Sequence, residues 1–247
     1  MLGEALAGRS PVDAGWWEEL PRPTTDVALD PSRAVVGVIS YARRARDHAG
    51  LILWMHCAEN TEAAAALIEH ASAALGPRPL EAFQFASALS LGLEALPATH
   101  RPVTDRALRG AGFTAHRLWR YMRAELPLPG LPQLDRYEIS PAPEGHRIEV
   151  RRDGRTVADA LIGTPIQGTG VLWWIGVEQA ERGKGLGRAL LGTALQELTD
   201  RGATETVLYV DDDAPQGDPR DRSAATALYT AAGFEEIDNL YSYSRRP

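Results

Sequence analysis

The sequence predicts a mixed α/β protein built from two tandem copies of one domain. GLILWMH, from Gly50, matches GVLWWIG, from Gly170, at an offset of 120 residues. ALRGAGF, ending at Phe113, matches LYTAAGF, ending at Phe234, at an offset of 121, and RLWRYMR matches NLYSYSR at 122. Similar segments in the same order at one spacing indicate a duplicated unit. Each copy is expected to hold a mixed, mostly antiparallel sheet flanked by helices.

A proline-rich segment, ELPLPGLPQLD, separates the two copies. Its three prolines and one glycine can neither continue a helix nor join a central strand, which is typical of a linker. We therefore expect a first domain over residues 1–125, a linker over residues 126–135 and a second domain over residues 136–247.

The second copy has the clearest element pattern. HRIEVRRD and RTVADALIG are typical of paired strands, and VLWWIGV (Val171 to Val177) is typical of a buried strand. A helix is predicted from about Gly183 to Arg201, because its leucines recur along one stripe. RGATETVLYV then predicts a further buried strand, SAATALYTAAG a helix that ends at Gly233, and EEIDNLYSYSR a last strand.

Composition excludes several function classes. A net charge of −7 argues against a nucleic-acid binder that works by bulk electrostatics. No apolar stretch approaches the ~18 residues that cross a bilayer, and the N-terminus does not resemble a secretory signal. Cys57 is the only cysteine, which excludes an intrachain disulfide and a multi-cysteine metal site, and its apolar neighbours predict a buried thiol. We expect a cytoplasmic protein without a metal, nucleic-acid or membrane partner.

The segment QAERGKGLGRALL places Gly183, Gly185 and Gly187 at the predicted start of a helix. A helix N-terminus presents unpaired N–H groups, and glycines before it let the backbone approach an anion closely. These features predict a pyrophosphate site. The cations that flank it are Arg182, Lys184 and Arg188.

The glycine spacing excludes two common phosphate loops. A Walker loop ends in Gly-Lys-Ser/Thr, whereas Gly187 is followed by Arg188 and Ala189. A dinucleotide fingerprint needs Gly-x-Gly-x-x-Gly and an acidic residue about twenty positions later, and Asp211 comes too late for that role.

Two ordered motifs resemble a known family. RGKGLG (Arg182 to Gly187) before an amphipathic helix, and ALYTAAGF (Ala227 to Phe234) after the next strand, are similar to the two signatures of the GNAT acetyltransferase superfamily. The resemblance covers roughly Arg147 to Arg245. The tandem layout and the segment VLYVDDD are similar to the mycothiol synthase family within it.

This resemblance implies acetyl-CoA as the donor and no metal. In the family the loop amides hold the pyrophosphate, the strand before the loop pairs with the pantetheine arm, and one strand N–H polarises the thioester carbonyl. The residues expected to bind acetyl-CoA are Ile175, Gly176, Val177, Arg182, Gly183, Lys184, Gly185, Leu186, Gly187, Arg188 and Ser223.

The resemblance also implies a catalytic tyrosine. Tyr229 matches the residue that donates a proton to the leaving thiolate in many members, although a core tyrosine is the alternative interpretation. The general base stays open, because VLWWIGV lacks the glutamate that many members carry there. Arg222 also stands where the family often has asparagine, and Ser223 is expected to replace part of that function. The candidates for the base are Glu178, Asp211, Asp213 and water.

The first copy has lost the cradle, by which we mean the glycine loop with its flanking cations. At the offset of 120, the loop positions fall on Glu62, Ala63, Ala65 and Leu67, and at 121 the tyrosine position falls on Leu108. Reversed charge and added side chains predict that this domain does not bind CoA. We expect it to have a structural role and to form one wall of the acceptor site.

The sequence therefore predicts an N-acetyltransferase that acts on a primary amine of a small molecule, in the second domain. A non-catalytic, regulatory CoA-binding protein and an acyltransferase that uses a longer acyl-CoA are the alternatives. The acceptor stays open between a mycothiol precursor, an aminoglycoside-like amine and a polyamine, and homodimerisation stays open too.

Overall fold

The computed structural model describes residues 23–84, 95–212, 214, 217–218 and 221–247. The chain divides into two compact units, one of residues 1–119 with 238–247 and the other of residues 120–237. Each contains a mixed sheet with helices, so the predicted fold class is confirmed. None of the described helices is long and apolar enough to cross a membrane.

The elements are numbered in chain order. The strands are β1 (Thr24–Leu29), β2 (Val35–Arg43), β3 (Gly50–His56), β4 (Leu80–Ala82), β5 (Leu96–Pro97), β6 (Thr114–Glu125), β7 (Glu138–Ala142), β8 (Gly145–Arg152), β9 (Arg155–Gly163), β10 (Thr169–Val177), β11 (Glu205–Asp211) and β12 (Glu235–Arg245). The helices are α1 (Thr61–Leu75), α2 (Pro102–Gly110), α3 (Leu186–Asp200) and α4 (Ser223–Ala232), with a 3₁₀ turn at Gln179–Glu181.

In the first unit, β1, β2 and β3 form an antiparallel ladder, β3 pairs in parallel with β4, and β4 pairs antiparallel with β12. Helix α1 packs against this sheet through small and branched side chains such as Ala64, Leu67 and Ile68. Cys57 is fully buried in the same core, as its apolar neighbours predicted.

In the second unit, β7, β8, β9 and β10 form an antiparallel ladder, and β10 pairs in parallel with β11. The leucine stripe of α3 is buried as predicted, with Leu190, Leu191, Leu195 and Leu198 at most 2% exposed. The helix starts at Leu186 rather than at the predicted Gly183. The reason is backbone conformation, because two loop glycines before it are left-handed and cannot be helical residues.

Residues 126–135 of the proline-rich segment form neither helix nor strand, as predicted, but they are not a loose connection. They pack on the core of the second unit through Leu128, Leu131 and Leu134. The backbone N–H of Leu134 donates to the Thr193 hydroxyl on α3 at 2.9 Å. A Cβ at Gly192 would lie only 2.1 Å from the carbonyl oxygen of Pro132, so α3 needs glycine at this contact.

The compact units differ from the two sequence copies at their ends. Residues 238–247, which close the second copy, group with the first unit, because β12 pairs with β4 through Tyr243 and Ala82. Residues 120–125, which close the first copy, group with the second unit. The predicted domain limits at residues 125 and 136 follow the sequence repeat and stay a prediction.

Candidate acetyl-CoA site

Two parallel strands separate beside the glycine loop. β10 pairs with β11 only from Thr169 to Leu172, yet β10 continues to Val177 and β11 to Asp211. The pairing of β10 with β9 shifts register between Leu172 and Trp174. A register shift of this kind bends a strand, so β10 can leave β11 while it stays paired with β9.

The separated part of β10 has backbone groups that no neighbouring strand uses in its ladder. Glu178 N–H donates to the carbonyl of Val157 across the β9 ladder. Successive residues of a strand point their N–H groups to opposite edges. Ile175 and Val177 therefore direct theirs away from β9, opposite to the N–H of Glu178. Those two N–H groups therefore face the space that β11 has left.

The glycine loop supplies a second set of N–H groups. Gly183 and Gly185 have φ angles of +77° and +82°, a region that disfavours any side chain. Gly185 precedes the first residue of α3 and makes no side-chain cap hydrogen bond. A Cβ added at either glycine would meet no atom within 4 Å, so open space lies beside the loop. The first N–H groups of α3 are thus available to an anion.

The cations beside this loop are exposed and partly oriented. Arg182 Nε donates to the carbonyl oxygen of Val177 at 3.0 Å, which ties the loop to the end of β10. Lys184 Nζ lies 3.3 Å from a carboxylate oxygen of Glu181, which also pairs with Arg152. The side chain of Arg188 is exposed in the first turn of α3.

A cleft of about 700 Å³ opens at this place in the second unit. Tyr229 lines it with only 6% of its surface exposed, and burial raises the pKa of its phenol to about 12. The positive charge of Arg222, which also lines the cleft, opposes part of that rise in pKa. The cleft lining includes Ile175, Gly176, Val177, Arg182, Gly183 and Gly187 from the predicted set.

The other predicted residues lie close by or elsewhere. Lys184, Gly185, Leu186 and Arg188 belong to the loop and first turn of α3 without lining this cleft. Ser223 begins α4 and lines a neighbouring cleft with Asp211 and Asp212.

The candidate bases differ in position. The exposed side chain of Glu178 lines the main cleft. Asp211 lines the neighbouring cleft, and its carboxylate lies 3.4 Å from Nε of Arg222. Asp213 lies outside the described residues.

The cleft residues that sequence reasoning missed include Asp159 on β9 and Trp174 on β10. The indole N–H of Trp174 donates to the Asp159 carboxylate at 3.1 Å. Asp159 is the one charged residue in the otherwise apolar stretch TVADALIG. An acid in the middle of a half-buried strand is the signal that could have identified it.

In the first unit, the residues matched to the cradle form the start of α1. Ala63 and Leu67 are buried in its core, and Glu62 lies in the first turn. The side chain of Asn60 caps the helix by accepting from the N–H of Ala63 at 2.9 Å. Leu108, at the position matched to Tyr229, is fully buried. The N-terminus of α1 already has a partner from its own chain.

Comparison with known proteins agrees with this geometry. The sequence model described as the acetyltransferase (GNAT) family matches residues 114–234, which include both separated strands, the glycine loop and Tyr229. This part of the chain belongs to the GNAT family. We refer to it below as the GNAT domain.

The curated relatives cover the chain only in part. A mycothiol acetyltransferase from Kocuria rhizophila is 39% identical over 74 residues, which is 29% of this chain and 22% of that protein. Another from Renibacterium salmoninarum is 35% identical over 79 residues, 31% of this chain and 21% of that protein. The match therefore spans about a fifth of the length of these relatives.

Solved structures extend the likeness in fold to the whole chain. A GCN5-related N-acetyltransferase from Sphaerobacter thermophilus has a TM-score of 0.60 at 16% identity and covers 99% of this chain and 92% of that one. A tandem GNAT protein from the clavulanic acid biosynthesis pathway has a TM-score of 0.56 at 15% identity and covers 98% and 94%. At these identities the comparison supports the fold alone.

Proposed function

We propose that the GNAT domain transfers an acetyl group from acetyl-CoA to a primary amine of a small molecule. One observation carries the proposal. The cleft that contains Tyr229 also contains Gly183 and Gly187 of the uncapped start of α3, beside the separated end of β10. An anion site, a free strand edge and a buried proton donor therefore occur together.

The residues at the glycine loop and the end of β10 fit acetyl-CoA as the acetyl donor. A pyrophosphate would accept hydrogen bonds from the N–H groups at the start of α3, where the glycines leave open space. Arg182, Lys184 and Arg188 would add charge-assisted contacts. The N–H groups of Ile175 and Val177 would bind the amide-bearing arm and polarise the thioester carbonyl, since fixed backbone dipoles stabilise negative charge that develops on oxygen.

Tyr229 then acts as the general acid. The amine nitrogen bonds to the carbonyl carbon, the carbon–sulfur bond breaks, and the phenol gives its proton to the departing sulfur. Because its pKa is raised to about 12, the phenol keeps its proton throughout the neutral range. The amine proton leaves to Glu178, Asp211, Asp213 or water, between which the proposal does not choose.

The acceptor class follows from the relatives. Their name points to the amine of a mycothiol precursor as the first acceptor to test. Aminoglycoside-like amines and polyamines come next. Within the proposal the first unit does not bind acetyl-CoA, because its matched helix start is closed by Asn60.

The test is CoA release from acetyl-CoA with these amines, for the wild type and Tyr229→Phe. We expect kcat to fall by about 10² to 10⁴, the range for loss of an acid catalyst, with the Kd for acetyl-CoA unchanged within about twofold. Tyr137→Phe, which removes a hydroxyl that donates to Glu197, is the matched control, because neither residue lines the cleft.

Three outcomes would contradict the proposal. Equal turnover by Tyr229→Phe would remove that residue from the mechanism. Acetyl-CoA binding without turnover of any amine would favour a non-catalytic CoA-binding protein. Turnover with longer acyl-CoA donors alone would correct the donor.

A further inference from the structure

Strand alternation separates the cleft into two faces. The side chains of Ile175 and Val177 pack towards the core that contains α3. Successive residues of a strand point to opposite faces, so Trp174 and Gly176 belong to the face away from α3. Asp159 is the cross-strand partner of Gly176 and shares its face. The donor would contact the α3 side, which leaves this second face for another molecule.

Asp159 is held in one orientation on that face. Its Oδ1 accepts from the indole N–H of Trp174 at 3.1 Å, and its Oδ2 accepts from the guanidinium of Arg147. The carboxylate is still 23% exposed. An ionised carboxylate has about four acceptor positions, so two donors leave room for further hydrogen bonds from the cleft.

Trp174 is unusually exposed for so large a side chain, with 53% of its surface accessible, and it lines the cleft. A Cβ at Gly176 would lie 3.0 to 3.2 Å from its ring atoms, so the indole rests against the strand only because that residue is glycine. An exposed aromatic face beside a fixed carboxylate is a combination that attracts organic ammonium groups.

We propose that Asp159 and Trp174 bind the ammonium group of the acceptor and so select cationic amines. The proposal rests on the proposed function, since it names the acceptor side of the same cleft. It gives Asp159 a binding role and leaves the proton acceptor of the reaction unassigned. Arg147 is a positioning residue in it, because it contacts the carboxylate rather than the amine.

The first experiment measures binding without turnover. Protein saturated with CoA, which has no acetyl group to transfer, is titrated with glucosamine and spermidine, with glucose as the uncharged match for glucosamine, and binding is followed by ligand-observed NMR. We expect the wild type to bind both amines and not glucose, and Asp159→Asn to weaken amine binding at least tenfold. Trp174→Phe should weaken it less, since it keeps an aromatic ring.

The control variant is Glu149→Gln, which removes the carboxylate that faces Asp159 across the β8–β9 pair but does not line the cleft. Amine binding by this variant should stay within about twofold of the wild type. Thermal melting should give Asp159→Asn nearly the wild-type Tm, because Asn still accepts from Trp174 and Arg147 is 43% exposed. The Kd for acetyl-CoA should not change in either variant.

The outcomes separate the two proposals. Amine binding that needs Asp159 without any acetylation would keep this inference and contradict the proposed function. Acetylation whose KM for amines is the same in Asp159→Asn as in the wild type would overturn this inference and keep the function. Wild-type protein that binds neither amine, or binds glucose equally well, would also overturn it.

Discussion

Helices α1 and α3 follow the matched strands β3 and β10 in the two copies, but their first turns satisfy the same physical need in different ways. Every helix leaves its first N–H groups without intrahelical partners. At α1, Asn60 supplies a side-chain oxygen at 2.9 Å. At α3, Gly185 supplies none and takes a left-handed conformation instead. One helix start is capped by its own chain, and the other has no side-chain cap.

The first unit also satisfies a second helix start from within. The carboxylate of Glu59 accepts from the N–H groups of Val103 and Thr104 at the beginning of α2, at 2.6 and 3.1 Å. The same carboxylate pairs with Arg101 at 2.6 Å. The oxygen anion that a helix start attracts is therefore part of the chain here. If this copy does not bind CoA, as we propose, groups of its own chain occupy the positions where a ligand would bind.

The largest expected effect, on acetyl-CoA binding, comes from a side chain added at Gly185, directly before α3. Gly185→Glu should weaken acetyl-CoA binding more than 100-fold, or about 2.7 kcal/mol, because it adds a negative charge and a left-handed side chain to the anion site. The measurement is calorimetric titration with acetyl-CoA, which should give one site per wild-type chain.

The matched control is Ala65→Glu, at the equivalent exposed position of α1. It should leave both the Kd and the number of sites unchanged. Two sites in the wild type, or an equal loss of affinity in both variants, would show that the two helix starts do not differ in acetyl-CoA binding.

A smaller effect is expected at Glu59. Burial alone would raise the pKa of this carboxyl, but hydrogen bonds from Thr104 and Arg101 outweigh burial and hold the pKa below its ordinary 4.5. Glu59→Gln should lower the free energy of unfolding by about 2 kcal/mol at pH 7, the usual range for hydrogen bonds to a charged group. Urea denaturation measures this, with Glu69→Gln on the exposed face of α1 as control.

The pH dependence has a definite sign. A carboxyl whose pKa is lowered by folding stabilises the fold above its unfolded pKa, and this contribution is lost as pH falls through the folded value. The wild type and Glu59→Gln should therefore differ most near neutrality and converge as the pH drops below 4.5. A difference that stays constant down to pH 3 would argue against the carboxylate as the cause.

The smallest effect is expected at Asn60. Asn60→Ala should cost about 1 kcal/mol of stability, the usual loss when an N-cap is removed, and Asn60→Asp should restore it. Acetyl-CoA binding should be unchanged in both variants. A gain of a second acetyl-CoA site in Asn60→Ala would mean that the cap alone, rather than the lost glycines, closes the first copy.

The sequence predicted the parts of the molecule that depend on local pattern. The leucine stripe located α3, the glycine spacing located the left-handed loop before it, and the repeat offset matched the buried Leu108 to Tyr229. It did not predict the Asn60 cap, although Asn directly before a helix is a common signal.

Other features depend on contacts that no local pattern encodes. Asp159 meets Trp174 because β9 and β10 pair with a particular register, which the sequence does not specify. The separation of β10 from β11 depends on a register shift near Leu172. The role of Gly192 depends on where the proline-rich segment passes over α3. These are distances between segments, and they had to be observed.

The contact between Gly192 and Pro132 has a consequence for how α3 can respond to a ligand. The segment touches the helix in its middle, where Leu134 also donates to Thr193. A helix fastened there cannot slide along its axis without losing both contacts, so its N–H groups stand in place before any phosphate arrives. Ordering of the anion site then adds little entropic cost to binding. We expect the helix to keep its position on binding, so that the conformational adjustment takes place in the incoming molecule.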